Sequence, residues 1–407
     1  MNSFFSAEFF KGNRANLRKL FTGTAPIVLT ANGSLQRGGD SSYKFHQDSN
    51  FWYLTGIDEP DALLVIDKDK EYLIVPKREG VQEAFDGSTD FDEIARISGV
   101  DAVYDNKEGW DRLTKRLKKA KHIATLSAAP SYIEHYRMFS NPARQKLMDN
   151  VKEINSEITM LDLRQHLAKL RVIKQPAEIL AMKKAVNITM ATFKDVARSL
   201  KKLDNEFEVE AKLSYGFRNR GASGHAYDPI VASGLNATTL HYLKNSDTLN
   251  SKELLLIDAG SEVEHYAADI TRVFAVNEPT KRQQAVVDAV ISVHEKALSI
   301  LKPGVMIKDY EAQIEAFMGE KLRELGLIKL IDHDSVRKFY PHSTSHFLGL
   351  DVHDVGDYDQ PLEAGMILTV EPGIYIPSEN IGVRLEDDIL ITTKGPLIFS
   401  KNLPFVL

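Results

Sequence analysis

Short apolar runs broken by turns alternate with helical periodicities along this chain, and the balance between them shifts near residue 160. In the first part, 26–30, 51–55, 62–66 and 72–75 are apolar runs bounded by Asn-Gly, Gly-Gly and Asp-Glu-Pro turns, which predicts strands. Residues 110–120 and 143–154 predict helices. The expected first domain is therefore α/β and covers 1–160, with 161–407 forming a second domain. No nucleotide fingerprint accompanies it, because Gly38-Gly39 is an isolated pair and not a Gly-x-Gly-x-x-Gly turn.

Beyond residue 160 the helical pattern lengthens. Pro176 suits the first position of a helix, and Ile179, Met182, Val186, Met190, Phe193, Ala197 and Leu200 recur at helical spacing behind it. A second long helix follows from Val286 to Leu301, stopped by Pro303-Gly304, and a third runs over 310–325 with Gly326 at its C-terminal cap. Between and after these helices, 230–233, 254–258, 271–276, 367–370, 375–376 and 389–392 read as strands. The predicted architecture of 161–407 is a curved, mainly antiparallel sheet backed by helices, making the whole chain α/β in the broad α+β sense.

Composition narrows the function classes. A chain of 407 residues with 43% hydrophobic and 27% charged positions has room for two sizeable domains of ordinary globular character. The net charge of −6 argues against nucleic acid as a partner. The absence of cysteine excludes disulfides, thiolate-bound zinc, iron–sulfur clusters and thiol nucleophiles, and it suits a reducing cytoplasm. The N-terminal stretch carries Glu8 among its apolar residues and no basic region, so it does not read as a signal peptide. No apolar run approaches the roughly 20 residues of a membrane span, so no membrane partner is expected.

The candidate chemistry lies in acidic residues in or beside the apolar runs of the last part. Asp258 ends Glu-Leu-Leu-Leu-Ile-Asp, Asp269 opens Asp-Ile-Thr-Arg-Val-Phe, Glu371 follows Met-Ile-Leu-Thr-Val, and Glu386 sits in Val-Arg-Leu-Glu-Asp-Asp-Ile-Leu-Ile. His346 lies in His-Ser-Thr-Ser-His-Phe-Leu-Gly. A carboxylate in a buried strand is costly unless a cation meets it. Four of them near one point repel by several kcal/mol even at an effective dielectric of about 20. Two divalent ions would balance that charge, and an oxygen-rich set with one imidazole and no sulfur favours Mn, Co, Fe or Zn. Asp258 and Asp269, with Gly260 between them, suit two strands joined by a turn. The strand period of two puts Arg384 on the same face as Glu386, where it can orient or partly neutralise the cluster.

Other chemistries fail on spacing. His294-Glu295 begins like a His-Glu-x-x-His zinc helix, but Leu298 stands at the second histidine position, leaving His294 as a helix-surface histidine. Gly221-Ala222-Ser223-Gly224 is not a nucleophile elbow, and there is no phosphate-binding loop. His241, His342 and His353 remain as further candidates near the ligands in sequence or pattern.

These residues, taken together, resemble the motif set of the pita-bread metallopeptidases. The motifs are Asp-Ala-Gly-Ser-Glu-Val-Glu-His-Tyr-Ala-Ala-Asp-Ile-Thr-Arg (258–272), His-Ser-Thr-Ser-His-Phe-Leu-Gly-Leu-Asp-Val-His-Asp-Val-Gly (342–356), Val-Glu-Pro-Gly-Ile-Tyr-Ile (370–376) and Arg-Leu-Glu-Asp-Asp (384–388). Within that group the chain is similar to the proline-specific branch of Xaa-Pro aminopeptidases and prolidases. The stretch from Asp40-Ser41-Ser42-Tyr43 through Phe51-Trp52-Tyr53-Leu54-Thr55-Gly56 to Glu59-Pro60-Asp61-Ala62 looks like the N-terminal domain of bacterial aminopeptidase P.

The resemblance implies two divalent ions bridged by Asp269 and Glu386, one also bound by Asp258, the other by His346 and Glu371. The family's usual metal is manganese, with cobalt or zinc as alternatives. His241, His353 and Arg384 fall where the family contacts substrate or steadies the transition state. His342 falls near the proline-side pocket and Tyr227 where a tyrosine supports a metal-bound aspartate, while Asp40 is a candidate for the substrate's free amine. The implied reaction is hydrolysis of the bond before a second-position proline by a hydroxide bridging the ions, with Glu371 as general acid–base. A homodimer or homotetramer is the expected assembly. One departure is visible: the aminopeptidase branch often carries a tryptophan and arginines near 83–88, where this chain has Phe85 and Asp86-Gly87-Ser88. The rival readings are a prolidase restricted to dipeptides, a metal-free creatinase-like hydrolase, and a non-catalytic binding protein on the same fold. The last two are disfavoured because every ligand position is acidic or histidine.

Overall fold

The computed structural model describes residues 3–68, 70–126, 133 and 136–407, and divides into two compact units, Met1–Leu170 and Arg171–Leu407. The first is built on a six-stranded mixed sheet in the order Ala102–Tyr104, Lys70–Ile74, Leu63–Asp67, Ile27–Thr30, His122–Thr125, Thr159–Asp162. Ile27–Thr30 pairs antiparallel with Leu63–Asp67 on one side and parallel with His122–Thr125 on the other. Val28, Val65, Ile74 and Ile123 from this sheet meet Leu113, Leu117, Leu147 and Val151 from the helices Asn106–Leu117 and Ala143–Ile154. Strands with this near-continuous apolar character need cover on their faces, which the helices supply.

One sequence expectation fails here. Residues 51–55 form the second half of the helix Ser49–Thr55 and not a strand. All five side chains are buried, so the run carries no periodicity to separate the two conformations. The deciding features lie outside it: the Asp48 carboxylate accepts the N–H groups of Asn50 and Phe51 at 3.0 Å each, and Gly56 closes the helix at φ 70°.

The second unit consists of antiparallel ladders backed by two pairs of helices. Ile230–Ser233, Leu254–Asp258 and Thr271–Ala275 form one three-stranded sheet. Ile367–Val370, Asp387–Thr392 and Gly395–Ile398 form another, and Gly373–Ile376 pairs with Ile381–Arg384. Phe193, Val196, Leu213 and Phe217 from the helices Pro176–Ser199 and Glu206–Asn219 pack against Val231, Leu255, Ile257 and Phe274. Val290, Val293, Ile314 and Met318 from Lys281–Ile300 and Ile307–Glu324 pack against Leu368, Val370, Val383 and Ile389. Among the described residues no helix is long and apolar enough to cross a membrane.

His294 is a second correction. It is fully buried inside Lys281–Ile300, with Nε2 3.0 Å from Asp387 and its ring edge-on to Phe405. Burial of the apolar face of this helix took the histidine with it, and Asp387 supplied the polar partner that makes this tolerable.

The link between Asp258 and Asp269 is more than a turn, because it contains the short strands Ser261–Val263 and Tyr266–Ala267 paired as a hairpin. Gly260 opens it. A Cβ there would collide with the Ala268 carbonyl oxygen and sit 3.1 Å from the Tyr227 ring, so only glycine lets the two chains pass this closely. Gly260→Ala is expected to lower stability by about 1–3 kcal/mol, as over-packed interiors do. A denaturant midpoint within error of wild type would contradict this.

Candidate metal centre

Strand register brings the acidic residues together. Asp258 ends its strand opposite Thr271, so Asp269, two residues ahead of Thr271, leaves the same end of the ladder. On the neighbouring ladder Val370 pairs with Asp387, which sets Glu371 and Glu386 facing each other where both chains leave that pairing. They then pair again as Gly373–Ile376 and Ile381–Arg384, with Gly373 opposite Arg384. The segment bearing His346 runs alongside this strand: Thr369 N–H donates to the His346 carbonyl at 2.9 Å, and Glu371 N–H to the Thr344 carbonyl at 2.8 Å.

The side chains meet in a buried cluster. One ligand atom each of Asp269, His346 and Glu386 lie within 4.8 Å of one another. His346 Nε2 is 3.5 Å from Asp269 Oδ2 and 3.6 Å from Glu371 Oε1. The other ring nitrogen, Nδ1, lies 3.0 Å from the Phe347 carbonyl; with Nδ1 as the donor there, Nε2 is the nitrogen that would ligate a cation once its proton is displaced. The Tyr227 hydroxyl is 2.6 Å from Asp258 Oδ1 and 2.5 Å from Asp269 Oδ1, a single proton shared between two carboxylates. Arg384 donates to Asp258 at 2.5 Å, to the Thr271 hydroxyl at 3.2 Å and to the Tyr375 hydroxyl at 3.0 Å. Thr271 in turn donates to Glu386 at 2.7 Å.

The electrostatics follow from this crowding. Four carboxylates against Arg384 leave three formal negative charges, or two with a proton on His346. Burial and the neighbouring carboxylates hold Glu386 well above its ordinary range. Burial raises Asp258, and Asp269 adds to the rise against the pull of Arg384. Glu371 is pushed up to about 8, by burial first and then by Asp269 and Asp258, with His346 and Arg384 acting against the rise. Burial alone would lower His346, but Asp269 and Glu371 beside it hold it up at about 9. Protons are poor substitutes for cations here, since each carboxylate that ionises still meets the others at short range. A hard, oxygen-rich donor set with one imidazole and surplus negative charge fits divalent ions.

The remaining candidates of the second unit sit around this cluster. His342 Nε2 is 2.8 Å from the Tyr375 hydroxyl and Nδ1 is 3.6 Å from Glu371, and the ring lies edge-on between Tyr340 and Tyr375. Burial, then the positive charge of Arg384, lowers it to about 3. His353 stacks edge-on against His346 with centroids 4.4 Å apart; enclosure of its ring and the charge on His346 lower it to about 4. His241 is exposed and close enough to act electrostatically on both His342 and His353. Asp40 belongs to the first unit, on the exposed turn between Gln36–Gly38 and Ser41–Ser42.

Residues 180–393 match the family described as metallopeptidase family M24. The chain belongs to metallopeptidase family M24. Residues 10–124 match a second family, the aminopeptidase P N-terminal domain. The chain is 33% identical over 403 residues to Xaa-Pro aminopeptidase 3 of Homo sapiens, covering 93% of this chain and 78% of that protein. It is also 33% identical over 413 residues to Xaa-Pro aminopeptidase of Escherichia coli strain K12, covering 95% and 93%. The solved structure of aminopeptidase P from E. coli with the inhibitor Pro-Leu superposes with a TM-score of 0.86 at 31% identity, covering 98% of this chain and 96% of that one. The architecture is therefore the pita-bread fold of the M24 enzymes, preceded by an aminopeptidase P N-terminal domain.

Several polar residues around the M24 centre escaped the reading of the sequence. Asp388 accepts the Asp269 N–H at 3.2 Å, and Asp387 is held below the usual carboxylate range, against its burial, by Arg272 and His294. Asp354 is buried between Arg171 and Lys174, at 2.5 and 3.0 Å, and its N–H donates to the same Phe347 carbonyl that His346 contacts. The adjacency of Asp387 and Asp388 to Glu386 was the one available signal for the first pair.

Proposed function

We propose that this chain is a metal-dependent aminopeptidase that releases an N-terminal residue from a following proline. One observation supports it above the rest: Asp269, Glu371 and Glu386 converge on His346, with Asp258 tied to Asp269 through Tyr227, in a chain whose residues 10–124 match the aminopeptidase P N-terminal domain. That domain favours the aminopeptidase over the dipeptide-restricted prolidase. Asp258, Asp269, His346, Glu371 and Glu386 would hold two divalent ions, with Asp269 and Glu386 shared, Asp258 serving one and His346 with Glu371 the other. Manganese is the proposed metal, with cobalt or zinc as substitutes. When bound, such ions supply charge stabilisation for a carbonyl oxygen and an acidified water at neutral pH.

The chain's own residues supply the rest. Tyr227 and Arg384 fix the carboxylates of Asp258 and Asp269 in orientation. Glu371 accepts the proton that the attacking water gives up and returns it to the proline nitrogen as the C–N bond breaks. His241 and His353 would donate to the oxygen of the scissile carbonyl as negative charge develops, and one such donor is commonly worth about 3 kcal/mol. Proline is a tertiary amide without an N–H, so the site need offer no acceptor on that side. His342, held edge-on between Tyr340 and Tyr375, would stand at the proline side of the site. We place the enzyme in the cytoplasm as a homodimer or homotetramer, consistent with a chain free of cysteine.

The deciding assay compares an Xaa-Pro dipeptide with Xaa-Pro-Xaa and longer peptides after chelation and reloading with manganese, cobalt or zinc. Cleavage of the longer peptides at the bond before proline is expected. Turnover confined to the dipeptide would make the protein a prolidase, and no turnover with any ion would remove the enzymatic reading.

A further inference from the structure

Glu311, on the helix Ile307–Glu324, takes no part in the proposed ligand set, yet its carboxylate reaches the turn just ahead of His346. Both of its oxygens lie 3.0 Å from the Thr344 N–H; Oε1 also accepts the Ser345 N–H at 3.1 Å and Oε2 the Thr344 hydroxyl at 2.9 Å. The Thr344 hydroxyl makes a further bond of 2.6 Å to Tyr340. The same two residues adjoin the proposed ligands through the backbone. The Thr344 carbonyl accepts the Glu371 N–H at 2.8 Å, and Ser345 is followed directly by His346.

We propose that Glu311 is a positioning residue that sets the spacing between His346 and Glu371, and so the affinity of one half of the metal centre. This rests on the ligand assignment proposed above. Two peptide N–H groups and a hydroxyl converge on this one carboxylate, and only an acceptor at both oxygens satisfies them. Glutamine has nearly the same shape but turns one acceptor into an NH₂ donor, which would face the peptide N–H groups and loosen the turn. Asp258 is oriented by Tyr227 and Arg384 instead, so the other half of the centre does not depend on this contact. A merely structural anchor would behave differently, because loss of general stability does not single out one ion.

The test is calorimetric titration of the metal-free wild type and Glu311→Gln with cobalt(II), below the melting midpoint of both. The wild type is expected to take up two ions; the variant should hold one at wild-type affinity and the other about 10–100-fold more weakly, the usual consequence of losing a residue that orients a ligand. If Glu311→Gln does not fold, Thr344→Val keeps the size and removes only the hydroxyl contacts, and it should weaken the same single ion to a smaller degree. Two ions at wild-type affinity in the variant, or equal weakening of both, would overturn the role of Glu311. Failure of the wild type to take up cobalt would overturn the ligand assignment itself.

Discussion

Glu371→Ala is expected to lower kcat/KM on an N-terminal Xaa-Pro peptide by at least about 10³-fold, within the range attributed to a lost general acid–base group. The carboxylate stands between two histidines. It follows the strand Ile367–Val370, its N–H is held by the Thr344 carbonyl, and its two oxygens lie 3.6 Å from His346 and 3.6 Å from His342. Alanine removes both a proposed ligand and the proposed proton carrier. Glu371→Gln should separate the two losses, since an amide keeps the shape and one oxygen but cannot carry the proton. Metal content near wild type with activity still lost in Glu371→Gln is the expected outcome. Turnover within tenfold of wild type in Glu371→Ala would contradict the account.

Removal of divalent ions should make folding stability fall between pH 7 and pH 9, by an amount on the order of 2 kcal/mol. The sign follows from the upward shifts at this centre, of which Glu371 and His346 carry the values nearest this window. Glu371, raised to about 8, still binds a proton in the folded protein at pH 7, whereas the unfolded chain has already lost it. His346, raised to about 9, keeps its proton in the folded state well above the ordinary histidine range. Both stabilising protonations are complete below their unfolded values and are lost as pH rises through the folded ones. His342 and His353, lowered to about 3 and 4, act in the opposite sense only at lower pH, outside this window. Divalent ions would replace those protons as the compensating charge. The loaded protein should therefore show a flatter profile and a higher melting midpoint, by mass action. Thermal melts of chelated and reloaded protein across this range measure the difference; a chelated protein whose stability rises from pH 7 to pH 9 would contradict the charge balance argued here.

The mixed first unit and the antiparallel second unit were legible because apolar runs and turn residues carry local information about element type. Asp258 and Glu371 stood out because each interrupts such a run at its end, an expensive place for an unpaired charge. Elements fully buried on every side were harder to read, since 51–55 shows no period and its helix is decided by Asp48 and Gly56 outside it. Long-range polar contacts were not legible at all. Thr271 reads as an ordinary strand threonine, yet its hydroxyl joins Arg384 and Glu386, which lie 113 and 115 residues away in the chain. His294 was misread for the same reason, because its Asp387 partner comes from a strand that follows much later. Such contacts depend on which strand ends meet in space, and that is set by sheet register across the whole unit.

The most direct test is a crystal structure of the manganese-loaded protein with an anomalous difference map collected near the manganese edge. Two peaks are predicted, both among Asp258, Asp269, His346, Glu371 and Glu386, with Asp269 and Glu386 touching both. A map without peaks in that cluster, in crystals of protein shown to be active, would contradict the account.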